Sequence, residues 1–229
     1  MNSFEQALSA LNSGAIKFRP FAVIDGRRIE PDEIREHTGK NYIRVGCRYG
    51  NEFSEDFHFR LAGDEITCRR YFRNDSGRAR KLTELGVELD GIAFGENAAA
   101  DYFYHNENPR IYERMTFPVD YNRSAGDAGD SGFDAQAGNR WADPGVVCER
   151  IGRSPYQPFP AILVSNYRSG RGLVHGTLSQ RIFYHNYLIS HRDGAVTLEI
   201  FSGFKGIAHL ELAVGQVLAD DWYLGATPD

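Results

Sequence analysis

Residues 43–49 read Ile-Arg-Val-Gly-Cys-Arg-Tyr, and this stretch decides the fold class. Ile43, Val45, Cys47 and Tyr49 fall on one side of an extended chain, and the residues between them fall on the other. A period of two residues indicates a β-strand with one buried face and one solvated face. The stretch therefore predicts a strand of an antiparallel sheet.

The same alternation recurs on both sides of this stretch. Before it, Ile16 and Phe18 alternate with charged residues, and Pro20 indicates an edge strand or a bulge. After it, further apolar or alternating runs are separated by turn residues, as at 57–61, 66–73, 85–90, 161–164, 181–189, 196–200 and 210–214. Roughly a dozen strands with little helix predict an all-β fold, a large two-sheet antiparallel sandwich.

Two segments depart from this pattern. Residues 3–13 carry apolar side chains at helical spacing, which predicts a short N-terminal helix lying over a sheet edge. Residues 106–160 contain six of the nine prolines, and a Gly- and Asp-rich run at 124–132 has little to bury. We interpret this second segment as a long central loop that is functional or disordered, although its aromatic residues indicate that most of it packs.

Composition limits the function classes. The net charge of −5 opposes nucleic-acid binding, which needs a basic face. The sequence has no apolar run of the ~20 residues that span a membrane, so no membrane partner is expected. The beginning of the chain lacks the features of a signal peptide, and the three cysteines are odd in number and widely spaced. We therefore predict buried thiols and a cytoplasmic location.

Familiar catalytic motifs are absent. The sequence has neither the Gly-rich loops that bind nucleotides nor the Gly-x-Ser-x-Gly motif of serine hydrolases. Its seven histidines are scattered, and no pair of carboxylates stands out for glycoside chemistry. We therefore assign no catalytic residue, no metal site and no cofactor.

Two loops combine an aromatic side chain with polar groups, which is a common feature of sugar sites. The first contains Trp141 and Asp143, and the second contains Asn166, Tyr167 and Arg168, with His175 shortly after. These six residues are the candidate sugar-binding residues. Alternatively, Trp141 is a structural anchor for its loop, and 166–172 is an ordinary turn between strands.

Three parts of the chain resemble one known family. They are the segment from Pro158 to Gln180, the segment from Cys68 to Gly91, and the closing segment Gly215-Gln-Val-Leu-Ala-Asp-Asp-Trp-Tyr-Leu-Gly225. Together they resemble the N-terminal β-supersandwich domain of family-36 glycoside hydrolases, the α-galactosidase-like clan. This supersandwich is also similar to galactose-mutarotase-like folds.

The resemblance implies a division of labour. Residues 1–229 would form a single domain, which is the N-terminal part of a longer enzyme. The closing strand of this domain would lead into a (β/α)₈ catalytic barrel. The family's catalytic aspartates lie in that barrel, so this domain would be non-catalytic. It would support the barrel as its partner and shape the sugar entrance, with Trp141 and Asp143 as contributors. An α-galactoside is the expected carbohydrate.

Other functions stay open at this point. The chain is alternatively a free-standing carbohydrate-binding module. A mutarotase-like aldose epimerase would need histidines and a carboxylate in one cleft, for example His175 with Glu199 or Glu211. The sheet faces are also possible contact surfaces of a homo-oligomer.

Overall fold

The computed structural model describes residues 3–10, 15–94, 102–108, 113–118, 150–151, 161–166, 168–178, 183–192, 195–204 and 209–227. Within these residues the chain forms one short helix, α1 (Ser3–Ala10), and sixteen strands. The strands form two antiparallel sheets with the core between them. The predicted two-sheet sandwich is confirmed.

One sheet has seven strands. Its main path runs in the order β10–β13–β14–β7–β1–β2, and β15 also pairs with β7. The strand bounds are β1 (Lys17–Ile24), β2 (Arg27–Ile29), β7 (Arg80–Ile92), β10 (Arg150–Ile151), β13 (Phe183–Arg192), β14 (Ala195–Phe204) and β15 (Leu210–Leu212).

The other sheet has nine strands in the order β3–β4–β5–β6–β16–β12–β11–β8–β9. Their bounds are β3 (Glu33–Thr38), β4 (Tyr42–Tyr49), β5 (Phe53–Ala62), β6 (Glu65–Asn74), β8 (Tyr102–Asn108), β9 (Glu113–Pro118), β11 (Ala161–Asn166), β12 (Gly172–Thr177) and β16 (Val217–Ala226). The pairing of β6 with β16 joins the first third of the chain to its last strand.

The alternating residues face the core as their period predicts. In β4, Ile43, Val45, Cys47 and Tyr49 are all buried, and the residues between them are exposed or half-buried. Apolar side chains of this kind stabilise the sandwich because burial removes their surface from water. Cys47 and Cys68 are buried free thiols, as predicted, and Cys148 lies outside the described residues.

The interpretation of 106–160 as a non-strand segment was wrong in part. Residues 113–118 form β9, which pairs with β8, and residues 150–151 form β10, which pairs with β13. β9 joins the sheet through β8, and β8 is paired in turn with β11, which lies far along the chain. These strands therefore depend on distant partners and not on a local sequence pattern. The Gly- and Asp-rich run at 124–132 lies outside the described residues.

The helix lies against the beginning of β1. Leu8 of α1 is fully buried, and the backbone N–H of Phe18 donates to Glu5 Oε1 at 3.3 Å. The backbone N–H of Ile16 donates to Ser9 Oγ, also at 3.3 Å. These contacts fix the entry of the chain into the seven-stranded sheet.

Candidate functional site

The six predicted sugar-binding residues are not assembled into one site by the described part of the chain. Trp141, Asp143 and Tyr167 lie outside the described residues. Asn166 and His175 are fully buried, and Arg168 is exposed in the turn between β11 and β12. The sugar-binding role of all six residues stays a prediction.

Asn166 shapes the turn that follows β11. Its side-chain Oδ1 accepts hydrogen bonds from the backbone N–H groups of Arg168, at 2.9 Å, and Ser169, at 3.0 Å. Its carbonyl oxygen accepts from the N–H of Gly170, whose φ of 71° suits glycine. The Asn166 side chain therefore orders a local turn, as asparagine often does, and presents Arg168 at the surface.

His175 lies between the two sheets. Its Nδ1 is 2.9 Å from the Tyr187 hydroxyl, and its ring centroid is 5.1 Å from that of His185 and 5.5 Å from that of Trp222. Burial, reinforced by the nearby His185, holds the pKa of His175 well below its usual value. The neutral imidazole is thus part of a polar cluster in the core.

Asp220 completes this cluster. Its Oδ2 accepts hydrogen bonds from His185 Nε2 at 2.8 Å and from Ser202 Oγ at 3.1 Å. Burial alone would raise the pKa of Asp220, but His185 lowers it below the usual value, so the carboxylate is ionised. We call His175, His185, Tyr187, Ser202 and Asp220 the interior cluster.

A second buried ion pair lies in the core. The Arg70 guanidinium binds Glu55 and also donates to the carbonyl oxygen of Gly86 at 2.9 Å. The Tyr49 hydroxyl donates to Glu55 at 2.5 Å. All three side chains of this group are buried, so it links β4, β5 and β6 to β7 of the opposite sheet.

The outer face of the seven-stranded sheet carries the candidate functional site. Phe21 and Phe201 point outward on either side of Gly86 and are nevertheless almost fully buried. Arg28 covers one of these rings, with its guanidinium carbon 3.8 Å from the Phe21 ring centroid. An arginine stacked on an aromatic ring is a rigid hydrogen-bonding platform.

Two carboxylates converge on this arginine. Arg28 donates to Glu199 Oε2 at 2.8 Å and to Glu88 Oε2 at 3.4 Å, while Arg19 donates to Glu88 Oε1 at 2.7 Å. Burial raises the pKa of Glu199, and Arg28 opposes the rise. Within the described part of the chain, Glu199 Oε1 is buried and accepts no hydrogen bond. We call Phe21, Arg28, Glu88 and Glu199 the Arg28 site.

The pairing of His175 with Glu199 or Glu211 does not occur. His175 points into the core from the nine-stranded sheet, whereas Glu199 points outward from the opposite sheet and Glu211 is exposed on β15. Among the described residues, no group of three or more His, Cys, Asp or Glu side chains is placed to hold a metal ion. No helix in the described ranges is long and apolar enough to cross a membrane.

Comparison with known proteins identifies the fold. No protein-family model and no curated protein matches this sequence. Among solved structures, a galactose mutarotase-like protein from Lactobacillus casei matches with a TM-score of 0.55 at 9% identity, over 93% of this chain and 84% of that chain. The chain therefore has a galactose-mutarotase-like fold of two antiparallel sheets.

The structures of larger enzymes match as well. The family-36 α-galactosidase AgaB from Geobacillus stearothermophilus matches over 91% of this chain with a TM-score of 0.51 at 12% identity. The galactosidase domain of an α-galactosidase–sucrose kinase matches over 91% of this chain with a TM-score of 0.54 at 10% identity. The chain spans 29% of the length of each of these two proteins.

Proposed function

We propose that this chain is a non-catalytic β-supersandwich domain of an α-galactosidase-like glycoside hydrolase. It supports a (β/α)₈ catalytic barrel that follows it and helps to shape the sugar entrance of that barrel. Its partners are the barrel, an α-galactoside bound by the whole enzyme and, through its sheet faces, further copies of the chain. The chain is similar in structure to part of two α-galactosidases, spanning 29% of the length of each, and this similarity supports the assignment.

The proposal rests mainly on the way Arg28 engages two carboxylates. A retaining glycosidase needs one protonated acid and one free carboxylate about 5–5.5 Å apart, with room for the sugar between them. Glu88 and Glu199 lie opposite each other on β7 and β14, but both bind the same guanidinium. Arg28 therefore pairs with both carboxylates, so neither is free to act as the nucleophile, which favours a structural or recognition role.

A cytoplasmic location belongs to the same proposal. Cys47 and Cys68 are buried as free thiols, which fits a reducing compartment. Burial also raises the pKa of both thiols, so neither favours the reactive thiolate.

Enzyme assays test the non-catalytic role. The purified 229-residue chain is incubated with an aryl α-galactoside beside an intact family-36 α-galactosidase as the positive control. We expect no turnover by the chain. Turnover that copurifies with the chain and disappears in Glu199→Gln would contradict the proposal and would assign catalysis to the Arg28 site.

One observation favours a second candidate, an aldose epimerase. Glu199 has a raised pKa and an oxygen that accepts no hydrogen bond in the described structure, which are properties of a general acid or base. The similarity to the Lactobacillus casei protein covers most of both chains. The rate at which the galactose anomers interconvert, measured by NMR magnetisation transfer, tests this candidate. Acceleration by the wild-type chain and its loss in Glu199→Gln would support it.

A further inference from the structure

The outer face of the nine-stranded sheet contains a depression that none of the candidate residues touches. It has a volume of about 450 Å³ and crosses β3, β4, β5, β6 and β16. Its residues come from two adjacent rows of cross-strand neighbours. One row is Arg35, Gly46, Asp56 and Tyr71, and the other is Glu33, Arg48, Ser54, Arg73 and Val217.

The depression exists because small residues lie among long ones. Gly46 and Ser54 are diagonal neighbours on β4 and β5, and arginines flank them in both rows. A Cβ placed on Gly46 would meet Asp56 Oδ1 at 3.5 Å and the Arg35 carbonyl oxygen at 4.0 Å, which are ordinary contact distances. The space above Gly46 is therefore part of the depression, and a larger side chain at this position would fill it from the surface of the sheet.

The charges in the depression balance. Arg35 binds Glu33 at 2.6 Å, and Asp75 accepts from Arg73 at 2.8 Å and lies 3.5 Å from Arg48. With Asp56, the lining contains three arginines and three surface carboxylates, and its fourth carboxylate, Glu55, is buried and paired with Arg70. Such a lining offers many donors and acceptors without a net charge, so it suits a neutral polyhydroxyl ligand better than an anion.

Apolar surface lies beside these polar groups. Val217 is 51% exposed at the edge of the depression, and the half-buried Tyr71 is its diagonal neighbour on β6. Sugar rings present C–H faces as well as hydroxyl groups, so they match a surface with both characters.

We propose that this depression, the Gly46 site, binds a short neutral oligosaccharide. The inference rests on the proposed function only in taking the ligand to be a carbohydrate. The site lies on the opposite sheet from the Arg28 site, so sugar binding at one can be tested separately from chemistry at the other.

Calorimetric titration of the whole chain with raffinose, a neutral trisaccharide, tests the inference. Wild-type protein is expected to bind saturably and to bind an anionic trigalacturonate more weakly. Gly46→Val is expected to weaken raffinose binding about tenfold or more because it fills the depression. Its thermal midpoint should not fall, since valine suits a strand better than glycine does.

Lys81→Val is the matched control, because it places the same side chain at an exposed strand position of the other sheet. This variant should bind raffinose like the wild-type chain. If Gly46→Val fails to fold, Arg48→Met provides the second variant, and it should also weaken binding. Wild-type affinity in the folded Gly46 or Arg48 variant would overturn the inference, and so would no binding by the wild type at about 10 mM raffinose. Neither result bears on hydrolysis of aryl α-galactosides, which tests the proposed function separately.

Discussion

His185 Nε2 lies 2.8 Å from Asp220 Oδ2, and this contact joins the two sheets through the centre of the sandwich. His185 belongs to β13 of the seven-stranded sheet, and Asp220 belongs to β16 of the nine-stranded sheet. Ser202 of the seven-stranded sheet donates to the same carboxylate oxygen. A buried charge with these partners fixes how the sheets face each other, because it loses its hydration and the hydrogen bonds from His185 and Ser202 replace it.

Asp220→Ala is therefore expected to be strongly destabilising. It removes the carboxylate that satisfies His185 and Ser202, and breaking a buried pair costs about 3–5 kcal/mol of unfolding free energy. Urea unfolding followed by tryptophan fluorescence measures the loss. The neighbouring Asp221→Ala is the matched control, because Asp221 pairs with the exposed Arg69 on the outer face. Equal losses in the two variants would contradict the proposed importance of the interior cluster.

The stability of the chain is expected to depend on His175 below neutral pH. An unfolded histidine titrates near pH 6.5, whereas burial and His185 hold the pKa of His175 well below that value in the folded state. The contribution of the neutral His175 to the free energy of unfolding is thus fully present above about pH 6.5. As the pH falls below that value, the unfolded chain binds a proton that the folded chain does not. The free energy of unfolding then falls by up to about 1.4 kcal/mol per pH unit.

The variant His175→Gln isolates this contribution, because glutamine can still bond to the Tyr187 hydroxyl and does not titrate. Urea unfolding at several pH values from 4.5 to 7.5, chosen to cross the titration of free histidine, should show a shallower decline for the variant. The pKa values of Glu55 and Glu199 are raised in both proteins, so the effect of these two groups cancels when the two stability curves are subtracted. Parallel curves for the two proteins would show that His175 does not titrate differently on folding.

The sequence predicted the strands well because their period is local. Ile43 to Tyr49 alternate in the structure as predicted, and in β16 the structure buries Asp220 on the same face as Leu218 and Trp222. A polar residue at an inward position was the available signal for the interior cluster. Its partners could not be predicted, because His185 lies 35 residues before Asp220 and on the other sheet.

The Arg28 site was even less accessible to sequence analysis. Arg28 and Glu199 are 171 residues apart, and each is unremarkable among many charged residues on outer faces. Their meeting depends on strand order, since β14, β7, β1 and β2 are consecutive in the sheet. Periodicity identifies which face a residue occupies, but strand order decides which residues become neighbours on that face.

Gly86 is expected to tolerate no side chain. A Cβ at this position would lie 2.2 Å from Phe21 Cζ and 2.9 Å from Phe201 Cβ, and both rings are buried. Gly86→Ala should therefore lower the free energy of unfolding by about 2 kcal/mol, because the rings must move from a packed arrangement. Gly77→Ala is the control, since a Cβ there meets no atom within 4 Å. Chemical denaturation compares the two variants, and similar small effects would show that the Phe21 and Phe201 rings are loosely packed.

Asn74 connects the turn after β6 to the segment before β16. Its Nδ2 donates to the carbonyl oxygens of Arg78 and Leu212, both at 2.9 Å, and lies 3.3 Å from that of Ala213. Its Oδ1 accepts from the backbone N–H and the hydroxyl of Ser76. The Asn-Asp-Ser triplet at 74–76 has the pattern of a glycosylation acceptor, but a buried amide with these bonds cannot be modified in the folded chain.

Replacement of Asn74 is expected to loosen both connections at once. Asn74→Ala removes the donor to the carbonyl oxygens of Leu212 and Ala213 and the acceptor for the backbone N–H of Ser76, and should cost about 3 kcal/mol of unfolding free energy. Asn74→Asp should be no better at neutral pH, because a carboxylate cannot donate to the three carbonyl oxygens. The control is Asn51→Ala, in an exposed turn. Hydrogen exchange should show faster amide exchange at Gly215, whose N–H donates to the Asn74 carbonyl. Unchanged exchange there, with a small loss of stability, would show that the side chain of Asn74 does not hold the two segments together.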